Sequence, residues 1–313
     1  MRLGIDLFGG DYAPGAIAAG AIAARKDLGP EVEVVLYGDT DLSLKALKEA
    51  GGRPEDFSLA HAPEIIGMNE HPAKTYRSKP NSSIAVGFHH LKSGAIDAFA
   101  SAGNTGAMMI GSMFTLHPIE GVIRPSIGTC IPRLDGGINF LLDVGINSDC
   151  RADVLYQFGI LGSLYSQNVL KIKRPKVGLL NIGEEEEKGN LTTKAAHELM
   201  KDSSDFNFIG NVEGRDLFSD KADVIICDGF TGNIVLKEAE GFYTLIKQRR
   251  INDEYFNRFN YELYGGTAVL GVNGSVVIGH GISSPTAVMN MIKHAYDVAQ
   301  SNLPQKIKNA FSV

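Results

Sequence analysis

Short apolar runs rich in β-branched residues, each stopped by Asp, Gly or Ser and followed by helical spacing, recur along this chain of 313 residues. The fullest case is Ala222–Lys237. Val224, Ile225, Ile226 and Cys227 read as a strand covered on both faces. Asp228 stands at its carboxyl end, and Gly229, Phe230, Thr231, Gly232 and Asn233 read as a turn kept flexible by two glycines. Val235, Ala239, Phe242 and Ile246 then recur at the spacing of one helix face. Such a strand–loop–helix unit makes an anion site, because unpaired first-turn N–H groups and the helix dipole both favour negative charge. The plain alternative is a tight turn with Thr231 as the helix N-cap.

A second stretch has the same form. Ala95–Ala100 reads as a strand running into Ser101, Ala102, Gly103, Asn104, Thr105 and Gly106, then an apolar helix from Ala107 to about Leu116. Two such units point to one site built from two strand ends, since ligands of open α/β sheets bind outside the carboxyl ends of the strands.

The rest of the chain fits the same architecture. Strands are expected over 3–8, 32–37 and 57–61, with helices over 15–26 and 40–50 between them. That alternation predicts an α/β fold with a mostly parallel sheet and helices on both faces. The run 126–143, with Gly136 and Gly137 at its centre, predicts a β-hairpin, so the sheet is mixed. Further strands are expected over 177–182, 206–209, 267–270 and 275–278, and helices over 152–167, from near Thr192, and over 243–264. Ser284 and Pro285 start a last helix, buried on the face of Ala287, Val288, Met291, Ile292, Ala295 and Val298. The polar segment 67–83 reads as a surface loop, or as a basic lid carrying Arg77 and Lys79, with Ser82 or Ser83 capping the next helix. Gly183–Gly189 sets four acidic residues before Lys188, which makes either an exposed acidic turn or a loop presenting Lys188 beside a carboxylate.

The totals exclude several classes. A net charge of −6 argues against general nucleic-acid binding. No apolar run is long enough to span a bilayer, and the N-terminus enters a strand without a signal-peptide form. Cys130, Cys150 and Cys227 lack metal-ligand spacing, which fits a reduced cytoplasmic protein and buried packing rather than a covalent intermediate. There is no phosphate-loop motif and no Gly-x-Ser-x-Gly elbow, and Gly279-His280-Gly281 is only half a dinucleotide fingerprint. No cofactor and no metal are expected.

Taken in order, Gly9-Gly10-Asp11, Asn69-Glu70, Ser101–Gly106, Arg124-Pro125, Leu141–Gly145, Leu180–Glu184 with Lys188-Gly189, Gly210–Gly214 and Asp228–Asn233 carry a family resemblance. The set resembles the bacterial phosphate acyltransferase (PlsX) family, from residue 2 to about residue 297. The resemblance implies transfer of a fatty acyl group from acyl carrier protein to inorganic phosphate, giving acyl phosphate for phospholipid synthesis. It also implies a homodimer with the three-layer α/β/α fold of phosphotransacetylase and isopropylmalate dehydrogenase, as one catalytic unit with two intertwined subdomains as the variant reading. Lys188, Asp228, Asn233 and Asn104 are the candidate catalytic residues. Gly9, Gly10, Asp11, Ser101, Gly103, Thr105, Gly106, Asp143, Asn147, Glu184, Gly229, Thr231, Gly232 and His280 are the candidate phosphate- or acyl-binding residues.

One departure concerns the helical segment 238–264, which is shorter and more polar than in many relatives of that family. It is assigned to dimer or peripheral membrane contact. The carrier protein is acidic, so its docking calls for a basic patch, either Lys171, Lys173, Arg174 and Lys176 or Lys247, Arg249 and Arg250. The rival readings are a phosphotransacetylase using coenzyme A thioesters and a regulator that binds acyl carrier protein without turnover.

Overall fold

The computed structural model describes residues 1–312. The chain first lays down β1 (Arg2–Asp6), α1 (Gly15–Leu28), β2 (Glu33–Gly38), α2 (Thr40–Glu49) and β3 (Ser58–His61). It continues with α3 (Pro72–Ser78), α4 (Ser83–Lys92), β4 (Ala98–Ser101) and α5 (Thr105–Gly111). Next come β5 (Ser126–Pro132), β6 (Ile138–Leu142), α6 (Ala152–Asn168), β7 (Lys176–Leu180), α7 (Leu191–Met200), β8 (Asn207–Val212) and β9 (Val224–Ile226). After these stand α8 (Gly229–Gln248), α9 (Glu254–Asn257), β10 (Thr267–Leu270), β11 (Ser275–Ile278), α10 (Pro285–Gln300) and α11 (Leu303–Phe311).

Two compact units divide these elements. The first is Met1–Ile119 with Tyr261–Pro304, and the second is Glu120–Asn260 with the segment from Gln305 onward. In the first unit the strand order is β3-β2-β1-β4-β11-β10. All neighbours there are parallel except β10 and β11. The chain moves from β1 outward to β3, then jumps back past β1 to β4. Right-handed crossovers in opposite directions place α1 and α2 on one face and α4 on the other. The β1/β4 boundary is therefore a topological switch point, the place at the carboxyl ends where ligands of open α/β sheets bind. In the second unit the order is β5-β6-β9-β7-β8. Its β5–β6 pair is the antiparallel hairpin expected from 126–143, and its other pairs are parallel.

Several boundaries differ from the sequence reading, each for a local reason. The polar segment 67–83 holds a short helix, α3, started by Pro72 and capped by His71. Ser82 caps α4 through the Ala85 N–H. The helix expected over 107–116 begins at Thr105 and passes into a π-helical turn at Ser112–Leu116. The long helix expected over 243–264 is broken, since α8 ends at Gln248 and only α9 and a turn at Tyr261–Leu263 follow. At the C-terminal end, α10 has Ser284 as its cap, and all six expected core residues are buried.

Candidate active site

In the first unit, Asp6 ends β1 at the switch point and is fully buried. Its Oδ2 accepts the Ser101 hydroxyl at 2.6 Å, and its Oδ1 accepts the Phe8 N–H at 3.1 Å. The Gly9 N–H and Ser83 also bond to this carboxyl, while burial outweighs them and holds its pKa above the usual carboxylate range. Ser101 Oγ in turn accepts the Gly103 N–H at 2.9 Å. Gly9 threads through this cluster, where a Cβ would lie 2.3 Å from Asp6 Oδ2 and 2.8 Å from Gly103 N. Asp6 thus joins the loop after β1 to the loop after β4. The sequence reading missed it, although an acid at a strand's carboxyl end was the signal that singled out Asp228.

Neighbouring candidates surround that cluster. Asn104 caps α5 through the Ala107 N–H, and its Nδ2 donates to the carbonyls of Gly67, Met68 and Glu70 at 3.1, 3.2 and 3.1 Å. An amide so engaged holds the 67–70 loop beside the loop after β4. Gly10 takes a left-handed φ of 111°, and the Asp11 N–H donates to Gly281 O at 2.7 Å. Thr105 is exposed, while Gly106 lies against Pro72. His280 stacks at a tilt on Tyr261, with ring centroids 4.7 Å apart. Lys79 pairs with Glu70 at 2.7 Å.

The second unit holds a cleft of ≈ 660 Å³ at the carboxyl ends of β7 and β9. Its lining joins the first turns of two helices: Asn190, Thr192 and Thr193 of α7, and Asp228, Phe230 and Thr231 of α8. Leu155, Leu179, Cys150 and Cys227, all buried, give it an apolar floor, and Asn181 and Ser148 add amide and hydroxyl groups. Asp228, not Thr231, is the N-cap of α8: its carboxylate accepts the Thr231 N–H at 2.8 Å and the Thr231 hydroxyl at 3.0 Å. Strand β9 is one residue shorter than expected, so the helix begins at Gly229.

Gly229 and Gly232, at the start of α8, serve packing rather than flexibility. A Cβ on Gly232 would sit 1.9 Å from the carbonyl oxygen of Asp143, and one on Gly229 would sit 2.8 Å from Asp143 Oδ2. Spaced one helical turn apart, they seat α8 directly on the loop after β6. Asp143 is fully buried and accepts the Asn147 backbone N–H at 2.6 Å and the Asn147 Nδ2 at 2.9 Å. The Asn147 carbonyl then accepts the Gly229 N–H at 2.7 Å. Both residues therefore face each other and the helix. Burial also raises the pKa of Asp143.

Asn233 is exposed on the first turn of α8, and Lys188 is exposed on the loop 183–189. No carboxylate pairs with Lys188 among the described residues; Glu184 instead meets Lys221 at 2.7 Å. Burial pushes the Cys150 thiol up to about 12 and the Cys227 thiol well above its ordinary value, which opposes a thiolate nucleophile here. Beyond Leu236, which packs on the unit's core, α8 has no buried residue, with Phe242 59% and Leu245 55% exposed. Of the basic candidates, Lys171 and Lys176 bond to the carbonyls of Asn168 and Asp220, while Lys247, Arg249 and Arg250 are exposed. No helix among the described residues is long and apolar enough to cross a membrane.

Residues 1–306 match the family model described as fatty acid synthesis protein. A phosphate acyltransferase of Desulforamulus reducens is 44% identical, with 99% of this chain and 97% of the relative covered. One from Salinibacter ruber is 42% identical over the same shares. Among solved structures, the EutD phosphotransacetylase of Staphylococcus aureus superposes with a TM-score of 0.64 at 15% identity, covering 96% of this chain and 94% of that one. A branched-chain phosphotransacylase of Enterococcus faecalis gives 0.65 at 13% identity, covering 96% and 99%. At these identities the two structures establish the shared α/β fold alone.

Proposed function

Because the chain belongs to the fatty acid synthesis protein family of phosphate acyltransferases, we propose that it transfers a fatty acyl group from an acyl carrier protein thioester to inorganic phosphate. A phosphate oxygen attacks the thioester carbon, the carbonyl oxygen becomes an oxyanion, and the thiolate of the carrier leaves, giving acyl phosphate. Phosphate is already an oxygen nucleophile near neutral pH, so the enzyme's task is alignment and charge stabilisation.

The observation that carries this reading is the cleft of ≈ 660 Å³, whose floor is apolar and whose rim holds the first turns of α7 and α8. An acyl chain suits the floor, and phosphate suits the amide and hydroxyl donors at the rim. We assign Asn233 and Lys188 to the developing oxyanion, and Asp228 to fixing the first turn of α8 with its half-buried carboxylate. The glycine loops of the first unit, Gly9–Asp11 and Ser101–Gly106, are assigned to substrate through their place at a switch point. Exposed Phe242 and Leu245 support contact of α8 with a second copy of the chain.

Phosphate-dependent thiol release from a long-chain acyl carrier protein tests the assignment. Wild type is expected to release thiol, and Asn233→Ala to lose kcat by roughly 100-fold, as removal of an oxyanion donor does. Release from coenzyme A thioesters but not from the carrier would move the protein to the phosphotransacetylase class. Release from neither would leave binding without turnover.

A further inference from the structure

We propose that Asn211 is a positioning residue that latches the acidic loop 183–189 and so fixes Lys188 beside the cleft; the inference rests on the assignment of Lys188 to the reaction. Asn211 lies near the end of β8 and is 3% exposed. Its Nδ2 donates to the Glu185 carbonyl at 2.8 Å, and its Oδ1 lies 3.2 Å from His197 Nδ1. An amide that donates to a carbonyl with its nitrogen must accept on its other side, so His197 donates from Nδ1. His197 is itself 4% exposed on α7, with its ring edge-on to Phe208 at 5.2 Å between centroids. A buried ring therefore sets the amide from behind.

The carbonyl that Asn211 grips is the one on which the chain turns at Lys188. The Lys188 N–H donates to the same Glu185 oxygen at 3.1 Å, and the Lys188 carbonyl accepts from Asn181 Nδ2, also at 3.1 Å. Gly189 then turns into α7 at φ 98°, with no room for a Cβ between Thr193 Oγ1 at 2.1 Å and Asn181 Oδ1 at 2.4 Å. Lys221 holds the outer end through Glu184 at 2.7 Å. Four consecutive acids repel one another and favour an opened chain. Since no carboxylate pairs with Lys188 among the described residues, this backbone latch is what determines where it stands.

A double-mutant cycle with hydrogen exchange tests the proposal. Asn211→Ala is expected to lower kcat for phosphate-dependent thiol release by roughly 10- to 100-fold, the scale of a 1 Å misplacement. Its KM for the carrier thioester stays within about twofold, because contacts made by the bound substrate are untouched. Asn211→Asp keeps the acceptor for His197 but sets a carboxylate against the Glu185 carbonyl, and is expected to be as damaging as alanine. In a Lys188→Ala background the same changes are expected to shift kcat by less than about twofold, since coupled residues do not add. Amides 185–189 are expected to exchange at least about tenfold faster in Asn211→Ala, with those of β7 and β9 unchanged. Additive losses with Lys188→Ala, or unchanged loop exchange, would overturn the latch. A Lys188→Ala variant with wild-type kcat would overturn both the assignment of Lys188 and the inference. If wild type releases no thiol, the acyl-transfer reading falls, and loop exchange still decides whether Asn211 is a latch.

Discussion

Replacing Gly232 by alanine isolates the seating of α8 from every other feature of the helix. The new Cβ would meet the Asp143 carbonyl oxygen at 1.9 Å, whereas real Cβ contacts essentially never fall below 3.0 Å. The first turn must therefore retreat by about 1 Å, since a backbone oxygen in a buried loop cannot rotate aside. That retreat stretches the 2.7 Å bond from Gly229 N–H to Asn147 O. Alanine gains about 1 kcal/mol in helix propensity. Overpacking costs about 1–3 kcal/mol, and a weakened Asp228 cap costs about 1 more. The net expectation is a loss of about 2 kcal/mol, read as a fall in Tm of about 4–8 °C for a unit of this size. Because Asp228 and Asn233 travel with that turn, kcat for thiol release is expected to fall by roughly 100-fold. Gly241 on the same helix meets nothing within 4 Å of its Cβ. Gly241→Ala should thus gain up to about 1 kcal/mol and leave kcat unchanged. Thermal unfolding by circular dichroism and thiol release at one substrate concentration series suffice. Equal behaviour of the two variants would refute the argument from packing.

Three further outcomes follow from the geometry. Asp6 has a folded pKa raised chiefly by burial, so its contribution to stability is fullest below the unfolded value near about 4 and is lost as pH rises through the folded pKa. Urea unfolding should therefore show the deficit of Asp6→Asn relative to wild type shrinking between pH 4 and pH 8, and a deficit that grows would contradict the assigned sign. Cys150 is buried with its thiol pushed up to about 12, so iodoacetamide at pH 8 should leave the native enzyme unlabelled and active; one-to-one labelling with loss of activity would restore a covalent route. Finally, Phe242→Glu with Leu245→Glu should halve the mass measured by light scattering if these exposed side chains join two copies, and an unchanged mass would remove α8 from that role.

Much of the fold was written locally. The hairpin at 126–143 followed from its central glycines, and the start of α10 from Ser284 and Pro285, because cap and turn chemistry depends on residues within a few positions. What sequence did not disclose depends on partners far along the chain. The break after Gln248 carries no Gly or Pro; the chain turns at Arg250 with φ 55°. The latch from Asn211 to Glu185 joins two segments whose local patterns say only strand and loop. Gly229 and Gly232 read as flexible turn residues because the oxygens that forbid a side chain there belong to Asp143, far along the chain in the loop after β6.

The acids at strand ends show how one sequence signal divides into different roles. Asp6, Asp143 and Asp228 each stand just at or beyond the carboxyl end of a strand. Asp228 caps the helix that follows it immediately, and an N-cap carboxylate must stay near the surface where that helix opens, so it lines the cleft. Asp6 and Asp143 are followed by loops that fold back over them; their oxygens meet N–H donors from those loops and, for Asp6, the hydroxyl of Ser101 at the end of β4. A buried carboxylate of this kind is costly on its own, and the surrounding donors offset part of that cost only while the loops keep their shape. The loops are consequently stiffened by the interactions that occupy these acids. A strand-end acid at a helix cap is thus the one to test for contact with substrate, and a strand-end acid under a loop is the one to test for its effect on the geometry of that loop.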